Sequence, residues 1–150
     1  MGEEQLRDIY QQHRTVQDKY TYFLLAVTAS AIAFAVQKTD SSIISWSLLP
    51  IGLAVLLWCC SFYCGCQNLV WIQVTLFANL ALFQLQQGNH PNQPVGLTEV
   101  EAAKSGTRDA MDENANKAKN HSIWQYRFLV LGAIFFLLWH ILEMVIRTVR

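Results

Sequence analysis

The sequence predicts an all-α integral membrane bundle of three transmembrane helices with helical extensions into the cytoplasm. A fourth span is the alternative. Apolar residues make up 53% of the 150-residue chain and charged residues only 15%, against roughly a quarter charged in a soluble domain. The apolar residues also gather in three blocks, over 20–36, 43–85 and 128–146. A hydrocarbon core of ~30 Å needs about 20 helical residues. The first and last blocks are therefore single spans, and the middle one is roughly twice a bilayer in length.

The length bounds the chain to one membrane domain over 1–150. We read a helix with its first span over 3–37 and a second span over 43–64. A helical extension into the cytoplasm follows over 65–87, then a loop over 88–96, a soluble helix over 97–121 and a third span over 124–147. The middle block leaves two readings open. Either the chain leaves the membrane near Cys64 as one long helix, or it turns at Cys64-Gly65-Cys66-Gln67-Asn68 and re-enters. Gln73, Thr75, Asn79 and Gln84 make its second half polar for a lipid-facing span. The positive-inside rule favours three spans. With the N-terminus inside, eight basic residues fall in the cytoplasm: Arg7, Arg14, Lys19, Lys104, Arg108, Lys117, Lys119 and Arg127. Lys38, Arg147 and Arg150 fall outside, and the last two speak against this orientation. The expected location is integral to a membrane, with the N-terminus cytoplasmic.

The polar, acidic start is not a signal peptide, and Leu6 stands where a myristoylation motif wants Ser or Thr. A net charge of zero gives no global field to attract nucleic acid, and no nucleic-acid partner is expected. Asn68, Asn116 and Asn120 lack the glycosylation pattern.

In the first helix, Leu6, Ile9, His13, Val16, Tyr20 and Phe23 step by three and four, as a heptad seam does. Two uses fit: packing on the same chain, or self-association with His13 in the seam. Glu3–Arg7 and Arg14–Asp18 have ion-pair spacing. Gly, Pro and Asn make 87–94 a loop. Thr98 then caps the next helix, with Glu101 closing a capping box. Arg108–Asp112 and Glu113–Lys117 support that helix as i,i+4 pairs.

Asn68, Thr75, Asn79 and Gln86 fall within about 40° of one another on a helix. Such a stripe faces solvent, bonds a neighbouring helix or lines a pore. His140 and Glu143 share a face of the last span. Ionisable groups at that depth cost a few kcal/mol and usually face protein or water. The pair reads either as a hydrogen-bonded His140 beside a Glu143–Arg147 bridge, or as part of an ion path. Pro50 and Gly52 would kink the second span, since Pro removes a backbone bond, as a gating hinge or as a packing bend. Cys59, Cys60, Cys64 and Cys66 read as small packing residues, with palmitoylation or redox sensing as the alternatives, and their spacing matches no zinc site. No metal or other cofactor is expected.

Arg7 and His13 fit the loose Arg…His spacing of HEPN ribonucleases, but they lie nearly two helical turns apart. No phosphate loop, nucleophile elbow or paired carboxylate site is present, so an enzyme is not expected.

The run Lys19-Tyr20-Thr21-Tyr22-Phe23-Leu24-Leu25-Ala26-Val27-Thr28-Ala29-Ser30-Ala31-Ile32-Ala33-Phe34-Ala35 resembles the first span of small bacterial membrane proteins. The layout is similar to small multi-span membrane effectors of anti-phage defence systems, an architectural resemblance covering most of the chain. It implies a homo-oligomeric pore that disrupts the inner membrane when infection is sensed. The third span departs from that pattern. So does the lack of a ligand-sensing domain, which leaves any trigger to a partner. The alternative function is a membrane anchor or adaptor whose cytoplasmic helices, 3–19 and 98–121, recruit a soluble protein. The expected partners are membrane lipid, further copies of the chain and such a soluble protein.

Overall fold

The computed structural model describes residues 2–40 and 46–149, with side chains described for 15–40, 46–146 and 148. Among them there is no strand. The elements are α1 (Gly2–Thr39), a single 3₁₀ turn at Trp46–Leu48, α2 (Leu49–Gln87) and α3 (Leu97–Val149). All three α-helices are long and apolar enough to cross a membrane. The chain divides into two compact units. The first comprises Met1–Gly65 and Trp124–Arg150, the second Cys66–Ile123.

Within the first unit the buried positions repeat every three and four residues. On α1 they are Thr21, Leu24, Thr28 and Ala35. On α2 they are Ile51, Ala54, Trp58, Ser61 and Gly65, and on α3 Gln125, Gly132 and Trp139. This is the 3.5-residue repeat of helices that supercoil left-handedly. Most of the repeat is small, as membrane helix interfaces are, because small residues let backbones approach. The large exceptions fill the end of the unit: Trp58 and Trp139 join Ala35, Ile51 and Ala54 in one core cluster. Phe136 touches three rings there, with centroids 5.8 Å from Trp58, 5.7 Å from Trp139 and 5.9 Å from Phe34.

In the second unit, residues 66–87 of α2 pair with α3. The Lys117 ammonium lies 4.7 Å from the centre of the Trp71 ring. Gly88 ends α2 at φ 74°, and Asn89 N–H bonds back to the Gln84 carbonyl at 3.0 Å. That bond is a Schellman closure, which requires the left-handed conformation glycine adopts freely. His90 to Gln93 then forms a turn, with Gln93 N–H donating to the His90 carbonyl at 3.0 Å.

Several sequence expectations change here. The segments read as 97–121 and 124–147 are one helix, since no Pro or Gly lies between them to break it. The second helix begins at Leu49, and the expected start at 43 lies outside the described residues. Pro50 therefore sits in the first turn of α2, where its missing N–H has no intrahelical partner to lose. It starts the helix and does not hinge it. Gly52, one turn in, is exposed, with open space where a Cβ would be. The capping box moves too. Val100 N–H bonds to the Gly96 carbonyl at 2.9 Å, so Gly96 is the cap and Thr98 lies inside. Glu99 folds back over Gly96, while Glu101 turns forward to Lys104 at 2.8 Å. Glu113–Lys117 closes at 2.6 Å; Arg108 and Asp112 form no ion pair. The Glu3–Arg7, Arg14–Asp18 and Glu143–Arg147 pairs each rest on a side chain outside the described residues.

Two predictions follow from these contacts. A Cβ on Gly132 would lie 2.5 Å from the Trp58 indole nitrogen, and the ring is rigid. Gly132→Ala should therefore destabilise by about 1–3 kcal/mol. Gly52→Ala should stabilise by up to about 1 kcal/mol, since alanine is the better helix former. Thermal unfolding in detergent checks the contrast in sign. The paired lysines hold the Glu101 and Glu113 carboxyls below the usual glutamate range, mainly through side-chain hydrogen bonds. Folded values below unfolded ones give stability that is full above the unfolded pKa and lost as pH falls through the folded values. Both pairs are exposed, so the effect is small. Amide-exchange protection around 101–117 should fall between about pH 6 and pH 3, and a Lys104→Met/Lys117→Met chain should show less of that fall.

Candidate functional site

The first unit encloses a layer of polar groups where all three helices meet. Gly65 of α2 lies against both neighbours. A Cβ there would lie 2.7 Å from Leu25 Cδ2 of α1 and 2.5 Å from Gln125 Nε2 of α3. Four residues earlier, the Ser61 hydroxyl donates to the Gln125 carbonyl at 2.7 Å. One turn beyond, the Trp58 indole N–H donates to the Leu129 carbonyl at 3.3 Å. Each of these α2 side chains takes a carbonyl of α3 as a second acceptor partner, which a helix interior allows because a carbonyl has two lone pairs. Thr28 and Thr21 are buried on α1 and bond their own helix, to the Leu24 carbonyl at 2.6 Å and the Gln17 carbonyl at 3.1 Å.

Gln125 is the exception. Its side chain is fully buried, and neither amide atom has a hydrogen-bond partner among the described residues. Burying an amide without partners costs roughly 1–3 kcal/mol by mutational measure. The sequence reading did not single out Gln125, Ser61, Gly65 or the two threonines. The signal was a seven-residue spacing of non-bulky residues in α3: Ala118, Gln125, Gly132 and then Trp139.

The polar layer also sets a level along the bundle. Tyr22 precedes Leu25 by three residues, Tyr63 precedes Gly65 by two, and Trp124 and Tyr126 flank Gln125. All four aromatics are exposed, so they form a collar around the unit. The Arg127 guanidinium lies 5.2 Å from the Trp124 ring centre, and Lys19 is exposed on α1. At the other end of the unit Trp46 is exposed. From Tyr63 back to Trp46, or from Tyr22 to Thr39, is about 26 Å of helix. Aromatic side chains with basic neighbours at such a separation are the pattern of a membrane interface.

The residues expected from sequence fall in different places. On α1, Leu6, Ile9 and His13 have side chains outside the described residues, while Val16, Tyr20 and Phe23 are exposed. The inward face of α1 is displaced by one residue from that seam, to Thr21 and Leu24. The stripe on α2 splits. Asn68 is buried and Thr75 is half-buried, its hydroxyl donating to the Trp71 carbonyl at 2.9 Å. Asn79 and Gln86 are exposed. His140 is exposed beside Trp139, with ring centroids 6.4 Å apart, and Glu143 is half-buried. The four cysteines are free thiols, Cys59 and Cys60 exposed, Cys64 and Cys66 half-buried.

Comparison with protein-family models, curated proteins and solved structures finds no match for this chain.

Gln125→Leu removes the orphaned amide and keeps the volume close. It should stabilise the chain by about 1–3 kcal/mol, and Ser61→Ala should destabilise it by about 0.5–1.5 kcal/mol. Unfolding of the two variants in one detergent checks both. A destabilised Gln125→Leu chain would mean that the amide has a partner in the folded protein.

Proposed function

We propose that the chain crosses a bacterial inner membrane three times and assembles into a homo-oligomeric pore or membrane-disrupting effector. Its N-terminus and residues 66–123 then lie in the cytoplasm. Insertion is supported by the aromatic collar and by the surface of the helices. Only 22%, 28% and 11% of the most apolar stretches of α1, α2 and α3 are buried within the chain, so most of that surface needs hydrocarbon or another chain. Nine charged residues fall between 99 and 119, which keeps that stretch out of lipid, and its four Lys and Arg favour the cytoplasmic side.

The observation that carries the pore is the placement of His140. It is exposed near the middle of the 128–146 block. Its own chain does not cover it, and an ionisable side chain facing hydrocarbon costs a few kcal/mol. A neighbouring copy or a water-filled passage removes that cost, and an oligomer around an axis provides both. The resemblance to defence effectors adds the expected outcome, loss of membrane integrity when the chain is produced.

A second reading, a membrane anchor for a soluble partner, is favoured by the hairpin turn of the second unit. Val95 and Leu97 there are 101% and 88% exposed, which suits capture by an apolar pocket. The two readings separate on bilayer recordings. The pore reading expects conductance from the purified chain and at least about a tenfold loss in His140→Leu, in proportion to a cost of a few kcal/mol. Conductance unchanged in both His140→Leu and Asn79→Leu, or none in the unaltered chain, contradicts it.

A further inference from the structure

Helix α2 has 39 residues and not one Asp, Glu, Lys or Arg. It is about 58 Å long, nearly twice a hydrocarbon core of ~30 Å. Full immersion would need a tilt of roughly 60°, outside the range of about 0–40° seen for spans. Half of α2 therefore lies in water, and the second unit identifies which half. Residues 66–87 pack beside the charged stretch of α3, with Lys117 stacked on Trp71. Yet this watery half presents apolar side chains outward. Val70, Val74, Phe77 and Leu80 are 47%, 39%, 72% and 53% exposed, and they share a face within about 120°. Asn68, on the opposite side of the helix, is buried. Val70, Gln73, Phe77, Leu80 and Gln84 step by three, four, three and four, with Val74 beside them. That is the a/d spacing of a coiled-coil seam.

We propose that this seam docks in parallel on the same seam of a second copy of the chain. The proposal rests on the reading that the chain is membrane-inserted and self-associates, and it names the surface. Three features select a second copy. The seam carries no charge, so it offers nothing to recognise the charged rim of an unrelated soluble protein. Its two amides, Gln73 and Gln84, pair with their own kind as donor and acceptor at once. Copies held in one bilayer also share an orientation and a depth. The seams then meet in register with much of the rotational and translational cost of association already met.

The test compares the unaltered full-length chain with a Val70→Asp/Phe77→Asp chain by native mass spectrometry in detergent. Circular dichroism serves as the folding control. The proposal expects an oligomer for the first and a monomer of equal helicity for the second. In isolated native membranes treated with copper-phenanthroline as oxidant, Phe77→Cys should give a disulfide-linked dimer above the background of the unaltered chain, and Asp109→Cys should not. The Cys result stands whether or not the Asp chain folds. A persistent oligomer in the Asp chain together with no link through position 77 overturns the seam and leaves the oligomer. A monomeric unaltered chain, bare, lipid-laden or bound to another protein, overturns both the seam and the homo-oligomer. A link through position 77 to a different protein overturns the seam in favour of the anchor.

Discussion

Trp58 lies against Gly132, and its indole nitrogen reaches the Leu129 carbonyl. That single contact fixes how near the second and third helices come. Any side chain at 132 would push the ring away and withdraw its hydrogen bond. In lipid, no hydrophobic force draws one apolar helix to another; close packing and interhelical hydrogen bonds must hold them. The rest of the first unit follows the same device. Gly65 admits Gln125 and Leu25, Ser61 reaches a carbonyl of α3, and Ala54 and Ala35 let the tryptophans settle. Only where backbones approach can so few side chains on each helix make a bundle.

The same constraint explains the exposed surface. A seam this narrow leaves most apolar side chains facing outward. Over one stretch the aromatic collar and the opposing Trp46 mark a thickness that lipid fits. Beyond the collar α2 stays uncharged while α3 becomes densely charged. Together they give the second unit one charged helix and one uncharged helix.

Much of the architecture was legible in the sequence. Three blocks almost free of charge, two of about a bilayer's width and one roughly twice it, announce helices able to cross a membrane. The Gly, Pro and Asn cluster at 88–96 announces the turn, since Gly88 supplies the left-handed residue that ends α2. The choice among helix faces was harder to read. On α1 the run Val16, Tyr20, Phe23 looks like a core seam because it is bulky. In an apolar helix bulk marks the outside, and Thr21, Leu24 and Thr28 pack within. The polar stripe misled for a related reason: Asn68 and Asn79 lie close in angle, yet the neighbouring helix covers one and leaves the other open. Pro50 reads as a kink until the helix start is known. Gln125 passed unnoticed because only a seven-residue spacing in α3 marks it, and its meaning comes from Gly65 and Ser61 on another helix.

The central claim is that the collar lies at one membrane interface, with residues 66–123 beyond it on the side of the N-terminus. Single cysteines introduced at Asp40 and at Asp109, probed with a membrane-impermeant maleimide in spheroplasts of the producing cell, test it directly against the unaltered chain. The account predicts that position 40 reacts in intact spheroplasts and position 109 only after permeabilisation. Labelling of both positions in intact spheroplasts, or of 109 alone, would contradict it.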